Sequence, residues 1–401
     1  MLSILELQSP YYAQEKADWL YFLIQNISST ELIFEAYGQD FRFPSILEIT
    51  TSEFGKRKPE EYQYVINGLL NETQKQFRKI KAGKKIEDSE DEFIERVKRD
   101  IPTVNESFRR YHKYIAIVKA DGDNMGAAVT AMFESKPEKV EEIDKAILAF
   151  NLEAVNKIDD FGGKSIYLGG DDLLFFAPVC SDGKTVFDLV HSLSVDYNKR
   201  FAVVFEGFDL ETKPTLSFGI SITYYKYPMN EALKIADDLL SEAKDKSLGK
   251  NAVAFRLMKH SGQFFGTRLA QDKVYYYRGS DTPENTSDKT PDFLRLVQNT
   301  RLEKEDAFLS SVMYRMREMD YLIKAILKDT ANKQRLESFF ENNFNEGVHQ
   351  TKRVFLNSVA DYLWQVYKDS NKDAELALKT VFGTLRLIQF IHQKDSENDN
   401  N

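Results

Sequence analysis

The spacing of apolar positions changes along the chain, and the changes mark out its elements. Between residues 114 and 258, short β-branched and aromatic runs alternate with stretches whose apolar positions step by three and four. These are the signatures of strands and amphipathic helices. A strand over 114–120 leads to a helix at about 137–161, read from Val140, Ile143, Ile147, Phe150, Ala154 and Ile158. Pro137 suits its start, and Gly162 and Gly163 suit its end. Strands 164–169 and 173–177 then flank Gly169-Gly170-Asp171-Asp172. A helix over 184–201, a strand over 215–225, a helix from Pro228 and a strand over 252–258 complete the series. The order β-α-β-β-α-β predicts an α+β, ferredoxin-like sheet with one extra α-β unit. Its helices are expected on one face, with the aspartates at one sheet edge.

The flanks differ. Residues 1–110 read as mainly helical, with Ala13–Ile24 and Glu60–Lys81 at helical spacing and an exposed connection at 82–91. Phe41–Ser45 interrupts the helical spacing with a strand or turn. Residues 276–292 are rich in Gly, Ser, Thr, Asp and Pro and read as a linker. Segments 303–328, 331–346, 350–369 and 372–394 predict a C-terminal helical bundle. The expected division is therefore 1–110, a 111–275 ferredoxin-like domain, the 276–292 linker and 293–401.

Composition narrows the class. With 401 residues, 42% apolar and 29% charged, the chain resembles ordinary globular protein. No apolar run reaches the ~20 residues of a membrane span, and the first residues make a poor signal peptide. The lone Cys180 excludes an intrachain disulfide and a zinc site built from cysteine pairs. A cytoplasmic, non-membrane protein is expected. The net charge of −9 is unlike a self-sufficient nucleic-acid binder, although the run from Lys75 to Lys85 is basic. None of the five histidines is followed by aspartate, so a His-Asp nuclease site has no support.

The candidate chemistry lies in two motifs, Asp121-Gly122-Asp123-Asn124-Met125-Gly126 and Gly169-Gly170-Asp171-Asp172. Each alone is a plausible turn. Both ending apolar strands, with a capped helix between them, predict that Asp121, Asp171 and Asp172 meet. Such a cluster binds Mg²⁺ or Mn²⁺ and, through it, a triphosphate. Asp121 and Asp171 are the expected bridging ligands, Asp172 completes a site or orients a hydroxyl, and the Gly122 carbonyl is a further oxygen. Gly122 and Gly126 leave backbone open to phosphate; Gly169 and Gly170 let a nucleotide lie close. Asp123 reads either as part of this cofactor-binding turn or as its cap. Lys244 and Lys250 sit at a helix end and the next turn, where each serves either as a phosphate contact or as a helix-end charge.

Together with Ser217-Phe218-Gly219-Ile220-Ser221, Ala243-Lys244 and Gly249-Lys250-Asn251, these motifs follow a known order across about 111–262. The set resembles the second palm domain of the large polymerase subunit of type III CRISPR effector complexes, which is related to diguanylate and class III nucleotide cyclases. The resemblance implies a nucleotidyltransferase acting on ATP. It would make cyclic oligoadenylate or a related AMP conjugate when a complex of further subunits and guide RNA binds target RNA. It carries Asp121, Asp171 and Asp172 over as metal ligands and Lys244 and Lys250 as phosphate contacts. The chain departs from many relatives in having no His-Asp nuclease domain and no four-cysteine zinc site, so nuclease activity is not expected. A free-standing diguanylate or nucleotide cyclase and a non-catalytic palm scaffold are the alternatives.

Overall fold

The computed structural model describes residues 44–67, 89–101, 104, 107–246, 249–259, 262–273, 276, 292–299, 306–329, 333–343 and 353–393. The readings of Ala13–Ile24, of 41–43, of the Lys75–Lys85 run and of 277–291 lie outside them. The described N-terminal part is helical: α1 Ile46–Thr50, α2 Ser52–Arg57, a helical stretch over 59–67 and α3 Ser89–Asp100. The connection expected over 82–91 thus gives way to helix at Ser89.

The central element is β1 Tyr114–Asp123, followed by α4 Met125–Ser135, α5 Val140–Phe161, β2 Lys164–Gly169 and β3 Asp172–Pro178. A small hairpin, β4 Cys180–Ser181 and β5 Lys184–Thr185, leads into α6 Val186–Val204 and β6 Thr215–Tyr224. The extra unit is α7 Met229–Ala243 with β7 Ala252–Met258, and β8 Phe264–Ala270 follows. The sheet order is β2-β3-β1-β6-β7-β8. β1 is antiparallel to both β3 and β6, and only β6–β7 is parallel. This is the α+β, split βαβ palm expected from the sequence, enlarged by a strand that the sequence reading did not assign. β8 is an edge strand that buries alternate residues, Phe265, Thr267 and Leu269.

One expectation is corrected. Helices cover both faces of the sheet. Tyr114, Ala116, Val118 and Ala120 pack toward α5 and α6. The intervening Ile115 and Ile117 pack with Ile49 of α1 and Met229, Ala232 and Ala236 of α7. The run Tyr114–Val118 is apolar throughout because both of its faces are buried. Contact with α7 is close: a Cβ on Gly219 would lie 2.3 Å from the Ala236 carbonyl oxygen.

The C-terminal helices are α8 Phe293–Asn299, α9 Asp306–Glu318, α10 Asp320–Lys328, α11 Lys333–Asn343, α12 Arg353–Asp369 and α13 Ala374–His392. They share one hydrophobic core with the α5–α6 side of the sheet. Phe187 of α6 meets Phe255 of β7 and Phe293 of α8 edge-on, at 5.0 and 5.1 Å between ring centroids. Phe390 of α13 meets Tyr114 of β1 in the same way at 4.8 Å. Such pairs add about 0.5–1.5 kcal/mol each beyond area burial. Tyr276 stacks on Phe293, and the buried Asp292 accepts from the Arg295 N–H at the start of α8. The two ends of the 276–292 segment are therefore fixed in the core. Removing the C-terminal helices would uncover palm side chains.

The N-terminal helices form a second core with Tyr225 and are pinned by a buried hydrogen bond between His112 and Glu53. Glu53 is 4% exposed and His112 is fully buried. His112 Nδ1 accepts from the Arg109 N–H at 2.9 Å, leaving Nε2 to donate to Glu53 Oε1 at 2.6 Å. The other Glu53 oxygen accepts from Arg57 and from the Asp182 N–H. Burial opposes the charged carboxylate, but the His112 hydrogen bond, with Arg57 and the Asp182 N–H, holds its pKa below the usual range. A folded pKa below the unfolded one stabilises the fold above the unfolded value of ~4.3, and this stabilisation is lost as pH falls through the folded value. Glu53→Gln is expected to cost about 1–3 kcal/mol at neutral pH and to flatten the acid limb of a stability–pH curve. Denaturant melts of both proteins across the acid range check this; unchanged curves would show that the pair contributes nothing.

A candidate metal and nucleotide site at the end of the central strand

Asp121 is placed by strand pairing. β1 does not turn after Ala120, as the motif suggested, but runs on to Asp123, with Asp121 opposite Ser217 and Asp123 opposite Thr215 of β6. Asp171 and Asp172 come from the β2–β3 hairpin, in which Gly169 pairs with Asp172 across a two-residue turn. Gly170 has φ +65°, as the first central position of a primed hairpin turn requires. The Asn151 side chain of α5 donates to the Gly170 carbonyl at 3.2 Å and ties the turn to the helix.

The three carboxylates converge. Asp121, Asp171 and Asp172 each offer an oxygen such that all three lie within 4.8 Å of one another. Gly122 makes this possible. A Cβ there would lie 2.3 Å from Asp171 Oδ2 and 2.6 Å from the Tyr197 hydroxyl. The missing side chain is therefore filled by Asp171 and Tyr197. This corrects the expectation that Gly122 opens space for phosphate; only its carbonyl oxygen remains as an expected ligand. Gly126, in the first turn of α4, does face open space, as does Gly170. Gly169 lies under the Tyr167 ring, whose hydroxyl a Cβ would meet.

Electrostatics follow from this crowding. Burial raises the Asp171 pKa above the ordinary carboxylate range, and the charges of Asp121 and Asp172 add to it. Asp172 is raised by burial and by Asp121. Lys244 opposes both shifts. Its ammonium pairs with Asp121 Oδ2 and donates to the Gly122 carbonyl at 3.0 Å. Lys250 donates to the Asn124 side chain at 3.1 Å, beside the N-terminus of α4. Both lysines named from the sequence thus reach the end of β1. Among the described residues the buried Tyr197 hydroxyl has no hydrogen-bond partner, and burial together with Asp171 pushes its pKa up.

Asp123 stands apart. It is fully buried, and its Oδ2 accepts from Thr215 at 2.9 Å, Ser217 at 2.6 Å and the Asn251 N–H at 3.0 Å. The cofactor-binding role considered for it is corrected to that of a brace joining β1, β6 and the start of β7. Sequence reasoning also missed Arg268 on β8. It donates to the Glu242 and Ala243 carbonyls at 3.2 Å each and to that of Gly249. It caps α7 and ties down the turn that carries Lys250. Its only signal was the alternation of the β8 segment. Tyr197 was read as one more apolar helix position.

Residues 114–254 match the family model described as Cas10/Cmr2, second palm domain. A curated relative, the CRISPR system Cmr subunit Cmr2 of Pyrococcus furiosus, is 25% identical over 288 residues, covering 61% of this chain and 32% of that protein. The chain thus spans about a third of its relative's length. Among solved structures, a Csm1–Csm4 cassette in complex with cA4 aligns at 16% identity and a TM-score of 0.37, covering 70% of this chain and 37% of that one. The active GGEEF domain of a diguanylate cyclase from Vibrio cholerae aligns at 15% identity and a TM-score of 0.25, covering 38% and 87%. Residues 114–254 are thus similar to a Cas10/Cmr2 second palm domain, and the Cmr2 relative supports the resemblance to a Cas10-type subunit that the motifs implied. Among the described residues, no helix is long and apolar enough to cross a membrane.

The Gly122 geometry yields a prediction. Gly122→Ala is expected to push Asp171 off the cluster and weaken Mn²⁺ binding by at least about tenfold, worth ~1.4 kcal/mol, with little change in melting temperature. Isothermal titration with Mn²⁺ checks it; wild-type affinity in the variant would show that Asp171 is not held by that gap.

Proposed function

We propose that this palm is a metal-dependent nucleotidyltransferase that uses ATP to make an adenylated second messenger, either a cyclic oligoadenylate or a related AMP conjugate. The observation that carries the reading is the convergence of Asp121, Asp171 and Asp172 on one open-sided point. Three hard oxygen donors, two with pKa values raised by burial and by neighbouring carboxylates, suit a divalent cation that would relieve their repulsion. Asp121, Asp171, Asp172 and the Gly122 carbonyl would hold Mg²⁺ or Mn²⁺, which when bound polarises the α-phosphate and activates the attacking hydroxyl.

The chain's own groups divide the remaining tasks. Lys244 already lies beside Asp121 and is poised to pair with triphosphate oxygens as a point charge. Lys250 and the open first turn of α4, with Gly126, offer a cation and free backbone N–H groups to the same phosphates. Gly170 leaves the tip of the hairpin open where the nucleotide would lie, whereas the Tyr167 ring covers Gly169. Tyr197 walls the inner side of the cluster and keeps Asp171 from turning into the core.

Similarity to the Cas10/Cmr2 second palm domain supports ATP as the substrate. It also supports a setting in a type III CRISPR effector complex, with other subunits, guide RNA and target RNA as partners and target RNA as the trigger. The same reading expects no nuclease activity from this chain and a cytoplasmic location.

Asp171→Asn with Asp172→Asn is expected to lower product formation by at least about 10³-fold. Stability should hold or rise, because like-charge repulsion falls. The test is mass spectrometry of products from the assembled complex with target RNA, ATP and Mg²⁺, with candidate acceptor molecules included. Near-wild-type synthesis by the double variant at saturating Mg²⁺ would overturn the assignment.

A further inference from the structure

Away from the carboxylates, two adjoining recesses of about 270 and 330 Å³ run between β8 and the helices α9 and α13. They share Phe265, Arg317 and Arg386 in their linings. Arg256, Lys259 and Lys379 line them as well, and Glu242 is the only carboxylate among the lining residues. This concentration of positive charge sits on a chain of net charge −9.

The three guanidinium groups are arranged alike. Arg256 lies over the Phe264 ring at 5.4 Å, Arg317 over Phe382 at 5.5 Å and Arg386 over Phe265 at 5.7 Å from guanidinium carbon to centroid. Cation–π contact holds each fork against a ring. Among the described residues, none of the three makes a hydrogen bond or an ion pair. Burial and the nearby charge of Arg317 both disfavour charged Arg386. Two neighbouring guanidiniums without a counter-ion form a surface that gains from receiving an anion. Arginine forks are matched to phosphate oxygens, which they bind in pairs. At the rim, Phe264 and Tyr314 are 61% and 62% exposed, offering flat faces beside the cations.

We propose that these recesses form a track for a single-stranded polynucleotide, with phosphates on Arg256, Arg317 and Arg386 and bases stacked on Phe264 and Tyr314. Repeated forks interleaved with exposed rings match a chain that alternates phosphate and base; an acidic protein surface would leave the rings unused. The track abuts the last turn of α7. Glu242 lines it, the Glu242 carbonyl is held by Arg268, and Lys244 follows two residues later. The inference goes beyond the metal-site reading and does not rest on it, because binding is measured without ATP or metal.

The test is fluorescence anisotropy of the full chain with labelled single-stranded RNA and DNA of about 15 nucleotides, a length in the range such grooves take, over a series of salt concentrations. Binding is expected to weaken with salt by about 0.7 in log–log slope for each phosphate neutralised. The triple variant R256Q/R317Q/R386Q is expected to bind at least about tenfold more weakly, with the slope reduced by about two. R256K/R317K/R386K should keep most of the slope while losing affinity. Equal affinity for RNA and DNA would identify backbone reading, and a preference for RNA would identify RNA as the ligand. Should the glutamine variant fail to fold, F264A/Y314A removes only exposed rings and is expected to weaken binding severalfold. Undetectable binding by the wild type, unchanged affinity and slope in the glutamine variant, unchanged affinity in the ring variant, or equal displacement by polyglutamate would each overturn the proposal.

Discussion

Three carboxylates drawn to one point repel each other, and the architecture around the end of β1 is what keeps them together. At a separation near 5 Å and an effective dielectric of about 20, each pair costs roughly 3 kcal/mol before further screening by solvent. No single contact offsets this. Strand pairing fixes Asp121 between β3 and β6, and the two-residue hairpin fixes Asp171 and Asp172. Gly122 removes the steric bar to their approach. Lys244 contributes the one cation paired with the cluster among the described residues. The cluster is held by backbone geometry against its own electrostatics, which is the condition under which a site gains most from a divalent ion.

The contrast between Asp121 and Asp123 shows how position divides chemically identical side chains. They lie two residues apart on one strand, hence on one face. Asp121 stands at the open end, paired with Lys244, beside the other two carboxylates of the cluster. Asp123 lies under Asn251 and takes three donors inside the fold. A buried carboxylate so bonded is a structural brace, and it holds the turn after α7 that carries Lys250. Arg268 does the same work from the other side, joining β8 to the end of α7. The lysines are placed by these two anchors together.

Much of the palm was legible in the sequence, because its strands and helices carry strong periodicity and its two aspartate motifs end strands. The β7 strand and the α5 helix lie close to where their apolar spacing put them. The rest was not legible for identifiable reasons. An unbroken apolar run such as Tyr114–Val118 says that both faces are covered, but not by which helices, so the place of α7 opposite α5 and α6 was missed. β8 sits at an edge, with Arg268 and Gly266 interrupting its apolar content. The burial of Asp123 depends on Thr215, Ser217 and Asn251, about ninety residues or more away in sequence, and no local pattern encodes such a partner. The union of the C-terminal helices with the palm core is likewise a tertiary fact: Phe293 looks like any helix-start aromatic until Phe187 and Phe255 are seen against it.

The most direct test of the central claim is anomalous diffraction from crystals of the chain grown with Mn²⁺ and a non-hydrolysable ATP analogue. The account predicts Mn²⁺ density between Asp121, Asp171 and Asp172, with the triphosphate running toward Lys244, Lys250 and the start of α4. A nucleotide bound with no metal at these carboxylates, or Mn²⁺ held elsewhere while Asp121 keeps its pairing with Lys244, would contradict it.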